Sequence, residues 1–183
     1  MLLKDLLIGI YDQPLGGAYA DYEIFDLSCD SRDIKPDSLF VALSGLQFNG
    51  QDFIRDAISR GAKVVVRGKT SEDELADDFP ADILMLEVEN PKKFLYEIAA
   101  RFYGRPCDKV KVFGITGTNG KTTITYLLES IAQQFQKQCA VVGTINYRVG
   151  REVLPSRNTT PSFLDNQKFL TRLSVQNVDY SFM

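Results

Sequence analysis

An α/β fold in two successive units, each built on parallel strands, is what this sequence predicts. Two patterns carry the expectation. Short β-branched runs alternate with amphipathic helical runs along the chain. A glycine-rich loop also sits between one such run and the helical pattern that follows it. The length, 183 residues, fits one or two domains and suffices for a core without disulfide staples.

Leu2 to Ile8 reads as a short helix, followed by a turn around Pro14, Gly16 and Gly17. Glu23–Ser28 and Leu39–Leu43 read as strands, separated by the turn-like Lys35-Pro36-Asp37-Ser38. Phe53, Ile54, Ala57 and Ile58 share a helical face, with Gly61 where a C-cap glycine belongs and Lys63–Val66 as a buried strand after it. Residues 39–66 therefore form a strand–helix–strand unit. Thr70–Asp78 is acidic and reads as a solvated loop or short helix, and Ile83–Val88 as another strand.

Asn90-Pro91 is the expected boundary, giving units 1–90 and 91–183. Phe94, Leu95, Ile98, Ala99 and Phe102 make an amphipathic helix closed by Gly104 and Pro106. Next come a strand over Val110–Ile115, a helix from Lys121 to about Phe135 and a strand at Cys139–Val142. Ile124, Leu127, Leu128, Ile131 and Phe135 are the expected buried stripe of that helix. Tyr147–Leu154 reads as a hairpin around Gly150. Thr160-Pro161 opens a further helix with threonine as N-cap, and Val178–Met183 is a strand. No helix follows that strand to cover it, so the chain is expected to be a fragment of something longer.

Composition narrows the chemistry. Lysine and arginine number 21 against 24 aspartates and glutamates, a net −3 with no basic block. That argues against a general nucleic-acid or anionic-membrane surface while leaving room for a local anion pocket. The absence of histidine removes histidine-based triads and nearly all zinc sites. Cys29, Cys107 and Cys139 are odd in number and far apart, and read as buried thiols in a reducing compartment. Lys4 and Asp5 interrupt the apolar amino terminus, and no stretch approaches the ~20 apolar residues of a bilayer span. A cytoplasmic protein is expected.

The sharpest motif is Gly114-Ile-Thr-Gly-Thr-Asn-Gly-Lys-Thr-Thr123, between an expected strand and an expected helix. Gly117 and Gly120 let the backbone curl so that its N–H groups point at phosphate oxygens, and the helix N-terminus adds partial positive charge. Lys121 can reach the β- and γ-phosphates, and the Thr122 hydroxyl can bind Mg²⁺. In the strict G-x-x-x-x-G-K-[ST] spacing the first position falls on Ile115, one residue after the nearby glycine. Nucleotide binding is expected. Asp30-Ser31-Arg32 offers a hydroxyl and a guanidinium fork, but the same residues form turns, and the turn is the favoured reading. Asn158-Thr159-Thr160-Pro161 serves equally as a helix start or as an anion or sugar-phosphate site. Gly143-Thr144 follows a core strand, where α/β proteins place ligand contacts.

Taken together, three blocks resemble the Mur ligases of peptidoglycan synthesis, and within them the branch that adds the third peptide residue. They are Asp30-Ser-Arg with Leu39–Gly45 and Asn49-Gly50; Gly114–Thr123; and Gly143-Thr144 with Asn158-Thr-Thr-Pro161. The loop Thr116–Thr123 marks the superfamily, and Asn158–Pro161 singles out the third-residue branch. The family usually has Asp-Gly-His where this chain has Asn49-Gly50-Gln51. The resemblance implies a small N-terminal α/β UDP-binding domain and the start of a P-loop parallel-sheet ATPase domain. Ser31 with Cys29 beside it, Leu46, Gln47 and Phe48 would hold the UDP part of the substrate. Gly117, Thr118, Asn119, Gly120, Lys121, Thr122 and Thr123 would bind ATP, with Lys121 and Thr122 at the chemistry and Mg²⁺ on Thr122. Asn158, Thr159 and Thr160 would contact the UDP-muramoyl-peptide.

The implied reaction is ATP-dependent ligation of a diamino acid, meso-diaminopimelate or L-lysine, to UDP-MurNAc-L-Ala-D-Glu through an acyl-phosphate. Family members continue beyond a strand like Tyr180–Met183 with a glutamate and a Ser-Ser-His segment, a carbamylated lysine and a C-terminal domain that selects the amino acid. The fragment is accordingly expected to bind but not turn over. Two other readings stand beside this one: a non-catalytic nucleotide- or UDP-sugar-binding module, and the branch that adds the last peptide unit. A GTPase is disfavoured, because no Asn-Lys-x-Asp motif occurs.

Overall fold

The computed structural model describes all residues except 17–18, 46–47, 70–78, 144, 151 and 156–160. The chain divides into two compact units, Met1–Phe102 and Tyr103–Met183.

The first unit contains α1 (Leu3–Leu7), β1 (Asp26–Ser28), β2 (Ser38–Val41), α2 (Ile54–Ser59), β3 (Ala62–Gly68), β4 (Leu84–Val88) and α3 (Pro91–Phe102). The four strands pair in chain order and parallel throughout, with Leu27 opposite Leu39, Phe40 opposite Val65 and Val66 opposite Leu86. Strand side chains alternate between faces. Phe40, Ala42, Ala62 and Val65 thus form one buried cluster with Ile54 and Ala57 of α2. Leu3 and Leu6 of α1 and Leu95 and Ile98 of α3 are fully or almost fully buried as well. The Arg101 guanidinium donates to the carbonyl oxygens of Asp5, Leu6 and Ile8 at 3.2, 2.9 and 2.6 Å. Those carbonyls close α1, where intrahelical partners run out. This anchoring explains why α3, expected to open the second unit at Pro91, belongs to the first.

The second unit contains β5 (Lys111–Phe113), α4 (Lys121–Gln134), β6 (Cys139–Val142), β7 (Asn146–Val149), β8 (Glu152–Pro155), α5 (Phe163–Val175) and β9 (Tyr180–Phe182). Its sheet has the order β5-β9-β6-β7-β8. Strand β9 runs parallel to both β5 and β6, while β7 lies antiparallel to β6 and forms the expected hairpin with β8, antiparallel to it in turn. Ala140 packs with Val110, Leu170, Leu173 and Val178 on one face. Cys139 and Val141 pack with Ala132 and Phe182 on the other.

Three expectations are corrected here. Helix α5 begins at Phe163, and its cap is Ser162, whose hydroxyl accepts from the Asp165 N–H at 3.1 Å; Pro161 precedes the cap rather than opening the helix. The stripe assigned to the core side of α4 is largely exposed: Ile124 44%, Leu127 58%, Ile131 56% and Phe135 73%. Thr125, Glu129 and Ala132 face the sheet instead, a rotation of roughly one residue, or about 100°. Small side chains on that face admit close approach to β6, and Leu128 alone of the stripe packs against the Cys139–Val141–Phe182 cluster. Among the cysteines only Cys139 is buried; Cys29 and Cys107 lie at the surface.

Candidate functional site

In a parallel sheet, the loops that follow the strands gather along one edge, where α/β proteins place ligands. In the second unit β5, β9 and β6 are mutually parallel, so the loop after β5 and Gly143 after β6 leave the same edge on either side of β9. The segment from Gly114 to Gly120 turns directly into α4. Gly120 is the N-cap with φ +80°, a left-handed conformation that a residue with a Cβ adopts only at a cost. No side chain caps the helix, so its first N–H groups are turned outward at the loop.

The Lys121 ammonium donates to the carbonyl oxygens of Gly117 at 2.5 Å and Thr118 at 3.4 Å, which folds the lysine back over the loop. Thr118, Asn119 and Thr123 are exposed, and Lys121 and Thr122 half-buried. The Thr122 carbonyl accepts from the Thr125 hydroxyl at 2.7 Å, which leaves the Thr122 side chain outside that bond. The loop thus brings one cation and the hydroxyls of Thr118, Thr122 and Thr123 to the head of a fourteen-residue helix whose first N–H groups no side chain caps. Chemically it suits a polyphosphate.

In the first unit, β1 and β2 are adjacent and parallel, so Cys29–Arg32 and Ala42–Gly45 issue from one sheet edge. Asp30 caps a 3-10 turn over Ser31–Asp33, accepting from the Arg32 backbone N–H at 3.0 Å. The same carboxylate takes the Arg32 guanidinium at 2.9 and 2.6 Å, which holds Asp30 below the usual carboxylate range. Ser31 is buried, and its hydroxyl hydrogen-bonds the Asp56 carboxylate on α2, lowering the Asp56 pKa. The Arg32 guanidinium is therefore engaged within the turn, and the Ser31 hydroxyl with α2.

Beyond β2, the Gly45 N–H donates to the Phe48 carbonyl at 2.9 Å. The exposed Phe48 ring meets Phe53 edge-on at 6.4 Å. A Cβ on Gly50 would lie 2.5 Å from both N and O of Leu43, so that position admits no side chain. Leu46, Gln47, Thr144, Asn158, Thr159 and Thr160 lie outside the described residues, as does the acidic run 70–78.

Sequence reasoning missed one polar constellation. Tyr126 and Glu129 of α4 meet Asn146 and Arg148 of β7. Their separations of about twenty residues carry no local period, so only the sheet order could have joined them. Among the described residues no group of three His, Cys, Asp or Glu side chains could hold a metal ion, and no helix is long and apolar enough to cross a membrane.

Two family models match. Residues 23–103 match the model described as Mur ligase family, catalytic domain, and residues 115–183 the Mur ligase middle domain. Over its whole length the chain is 36% identical to the UDP-N-acetylmuramoyl-L-alanyl-D-glutamate--2,6-diaminopimelate ligase of Clostridium tetani (strain Massachusetts / E88), covering 37% of that protein. With the ligase of the same name from Geobacter metallireducens it is 40% identical over 173 residues, 94% of this chain and 32% of that protein. A solved structure of a ligase of that name aligns over 100% of this chain and 35% of its own, with TM-score 0.72 and 21% identity. MurF from Acinetobacter baumannii aligns over 98% and 34%, with TM-score 0.57 and 23% identity. These two structural likenesses bear on the fold. The chain spans about a third of the length of the curated relatives it matches.

Proposed function

The chain belongs to the Mur ligase family, and from that premise we propose that it carries the nucleotide- and UDP-precursor-binding part of a MurE-type ligase. Such an enzyme joins a diamino acid to UDP-MurNAc-L-Ala-D-Glu at the expense of ATP. The observation that carries the proposal is the loop Gly117–Thr123, which sets Lys121 and Thr122 at the head of α4, beyond the carboxyl ends of the parallel strands β5, β9 and β6.

In this reading the loop N–H groups and the α4 N-terminus cradle the β- and γ-phosphates of ATP. Lys121 leaves the Gly117 and Thr118 carbonyls for the phosphate oxygens and offsets charge as the γ-phosphoryl group moves to the substrate carboxylate. The P–O bond to ADP breaks and a carboxyl–phosphate bond forms. The amine of the diamino acid then attacks that carbon, loses a proton and expels phosphate. A lone hydroxyl such as Thr122 fits Mg²⁺ only when phosphate oxygens and water complete the shell, and phosphates at the loop supply them. Held there by Thr122, Mg²⁺ would supply neutralisation of the phosphate charge. Ser31, Cys29, Leu46, Gln47 and Phe48 are assigned to the UDP moiety, and Asn158–Thr160 to the muramoyl-peptide. Both substrates are cytoplasmic metabolites, which supports action in that compartment.

Isothermal titration of the purified chain tests the reading. ATP with Mg²⁺, and UDP-MurNAc-L-Ala-D-Glu, should each bind without phosphate release, since the chain spans only a third of its relatives. Absence of ATP binding overturns the loop assignment, and amino-acid-dependent phosphate release overturns the assignment as a binding part alone.

A further inference from the structure

Helix α4 carries the proposed phosphate ligands at its head, yet apolar contact does little to hold it: four of its five large aliphatic and aromatic stripe residues are exposed, and its sheet-facing positions are Thr125, Glu129 and Ala132. Beyond the packing of Ala132 and Leu128 on the sheet, rotation of such a helix about its axis is resisted by polar contacts to β7. Arg148 Nη1 lies 3.4 Å from Glu129 Oε2, with the Glu129 side chain almost wholly buried and Arg148 partly so. The same guanidinium sits over the Tyr126 ring, 5.4 Å from its centroid. The Tyr126 hydroxyl donates to Asn146 Oδ1 at 3.0 Å. Arg148 is itself fixed by the sheet, opposite Val141 of β6. Glu129 Oε1 has no hydrogen-bond partner among the described residues, so the buried carboxylate leans on Arg148 for compensation.

We propose that Glu129 and Arg148 are positioning residues that lock the rotation of α4 against β7 and so aim Lys121 and Thr122 at the nucleotide phosphates. This rests on the loop being the ATP site. Glu129 stands eight residues past Lys121, about 12 Å along the helix, so the pair acts through the rigid helix and touches no ligand. A small turn of α4 at Glu129 is carried undiminished to Lys121, whereas adenosine, which has no phosphates, offers Lys121 and Thr122 nothing to meet.

Titration of the purified chain with ATP and with adenosine tests the proposal in the Arg148→Gln, Glu129→Gln and Arg148→Lys variants. Arg148→Gln and Glu129→Gln should each raise the ATP Kd about three- to tenfold and leave adenosine affinity unchanged, while Arg148→Lys, which keeps the cation, recovers most of the loss. The decisive reading is a double-substitution cycle: Lys121→Ala should cost several-fold less in the Arg148→Gln background, because a misaimed lysine has less to lose. Additive losses overturn the positioning role, as do equal losses for ATP and adenosine. If the unsubstituted chain binds ATP and Arg148→Gln binds it equally well, the proposal falls alone. If the unsubstituted chain fails to bind ATP, the loop assignment falls and the proposal with it.

Discussion

Removing the Lys121 ammonium should weaken ATP binding to this chain by roughly ten- to a hundredfold while leaving the fold intact. Without ligand the ammonium is spent on the two neutral carbonyls of Gly117 and Thr118. A phosphate oxygen in their place makes a charge-assisted bond contributing about 1.5–3 kcal/mol, against about 0.5–1.5 kcal/mol for an ordinary one. The exchange and the added charge complementarity together leave a loss of about 1.4–2.8 kcal/mol in Lys121→Ala, one to two decades in Kd. Calorimetric titration with ATP and Mg²⁺ at fixed ionic strength measures it, since salt screens a partly exposed cation. Lys137→Ala is the control: that lysine lies beyond the far end of α4, paired with Asp179 at 3.2 Å, and its loss should not change the Kd. An unchanged far-ultraviolet spectrum verifies the fold. A Lys121→Ala Kd within twofold of the unsubstituted chain refutes the reasoning, because no other side chain was invoked to meet the γ-phosphate.

Other expectations can be checked alongside. Thr122→Ala should flatten the Mg²⁺ dependence of ATP affinity, seen by titrating with and without the metal. Gly50→Ala drives a methyl into the Leu43 backbone and should cost about 1–3 kcal/mol in urea unfolding, whereas Gly16→Ala, 3.8 Å from the nearest ring atom, should cost far less. Leu173→Ala empties a fully buried site and should cost about 2–5 kcal/mol. Leu127→Ala should cost below about 1 kcal/mol, because most of that side chain is already in water. Burial raises the Glu129 pKa above its ordinary value, with the Arg148 charge opposing it. The folded chain therefore holds this proton more tightly than the unfolded chain does, and stability falls as pH rises through that pKa. Glu129→Gln removes this dependence, so its melting temperature should match the parent in acid and exceed it toward neutral pH.

Much of the fold was legible because its signals are local. The strand–helix–strand over residues 39–66 needs only β-branched runs, one helical face and Gly61, and it stands as expected. The loop Gly117–Thr123 announces itself by glycine spacing between a strand and a helix. What failed was what depends on neighbours distant in sequence. The apolar period of α4 is real, but periodicity gives the existence of a face and not its partner. Which side meets β6 was decided by the small Thr125 and Ala132, together with a polar clamp to β7. The unit boundary went astray similarly: Pro91 is a good place to begin a helix, but Arg101 ties that helix to carbonyls over ninety residues earlier. At Ser162, hydroxyl geometry outcompeted the threonine-proline pair as the start of α5.

Strand β9 lies between β5 and β6, although it is made from residues that follow both. A nascent chain can therefore complete the sheet of its first unit, strand by strand in order, long before the second unit has a middle. Until Tyr180–Phe182 leave the ribosome, β5 and β6 have no shared neighbour, and the phosphate loop hangs from an unpaired strand. Synthesis order then sets the order of assembly: the first unit's sheet is available early, and the strand that carries the glycine-rich loop gains its neighbour only once that insertion has occurred. Between those moments the exposed edges of β5 and β6 are the places where another chain could pair by mistake.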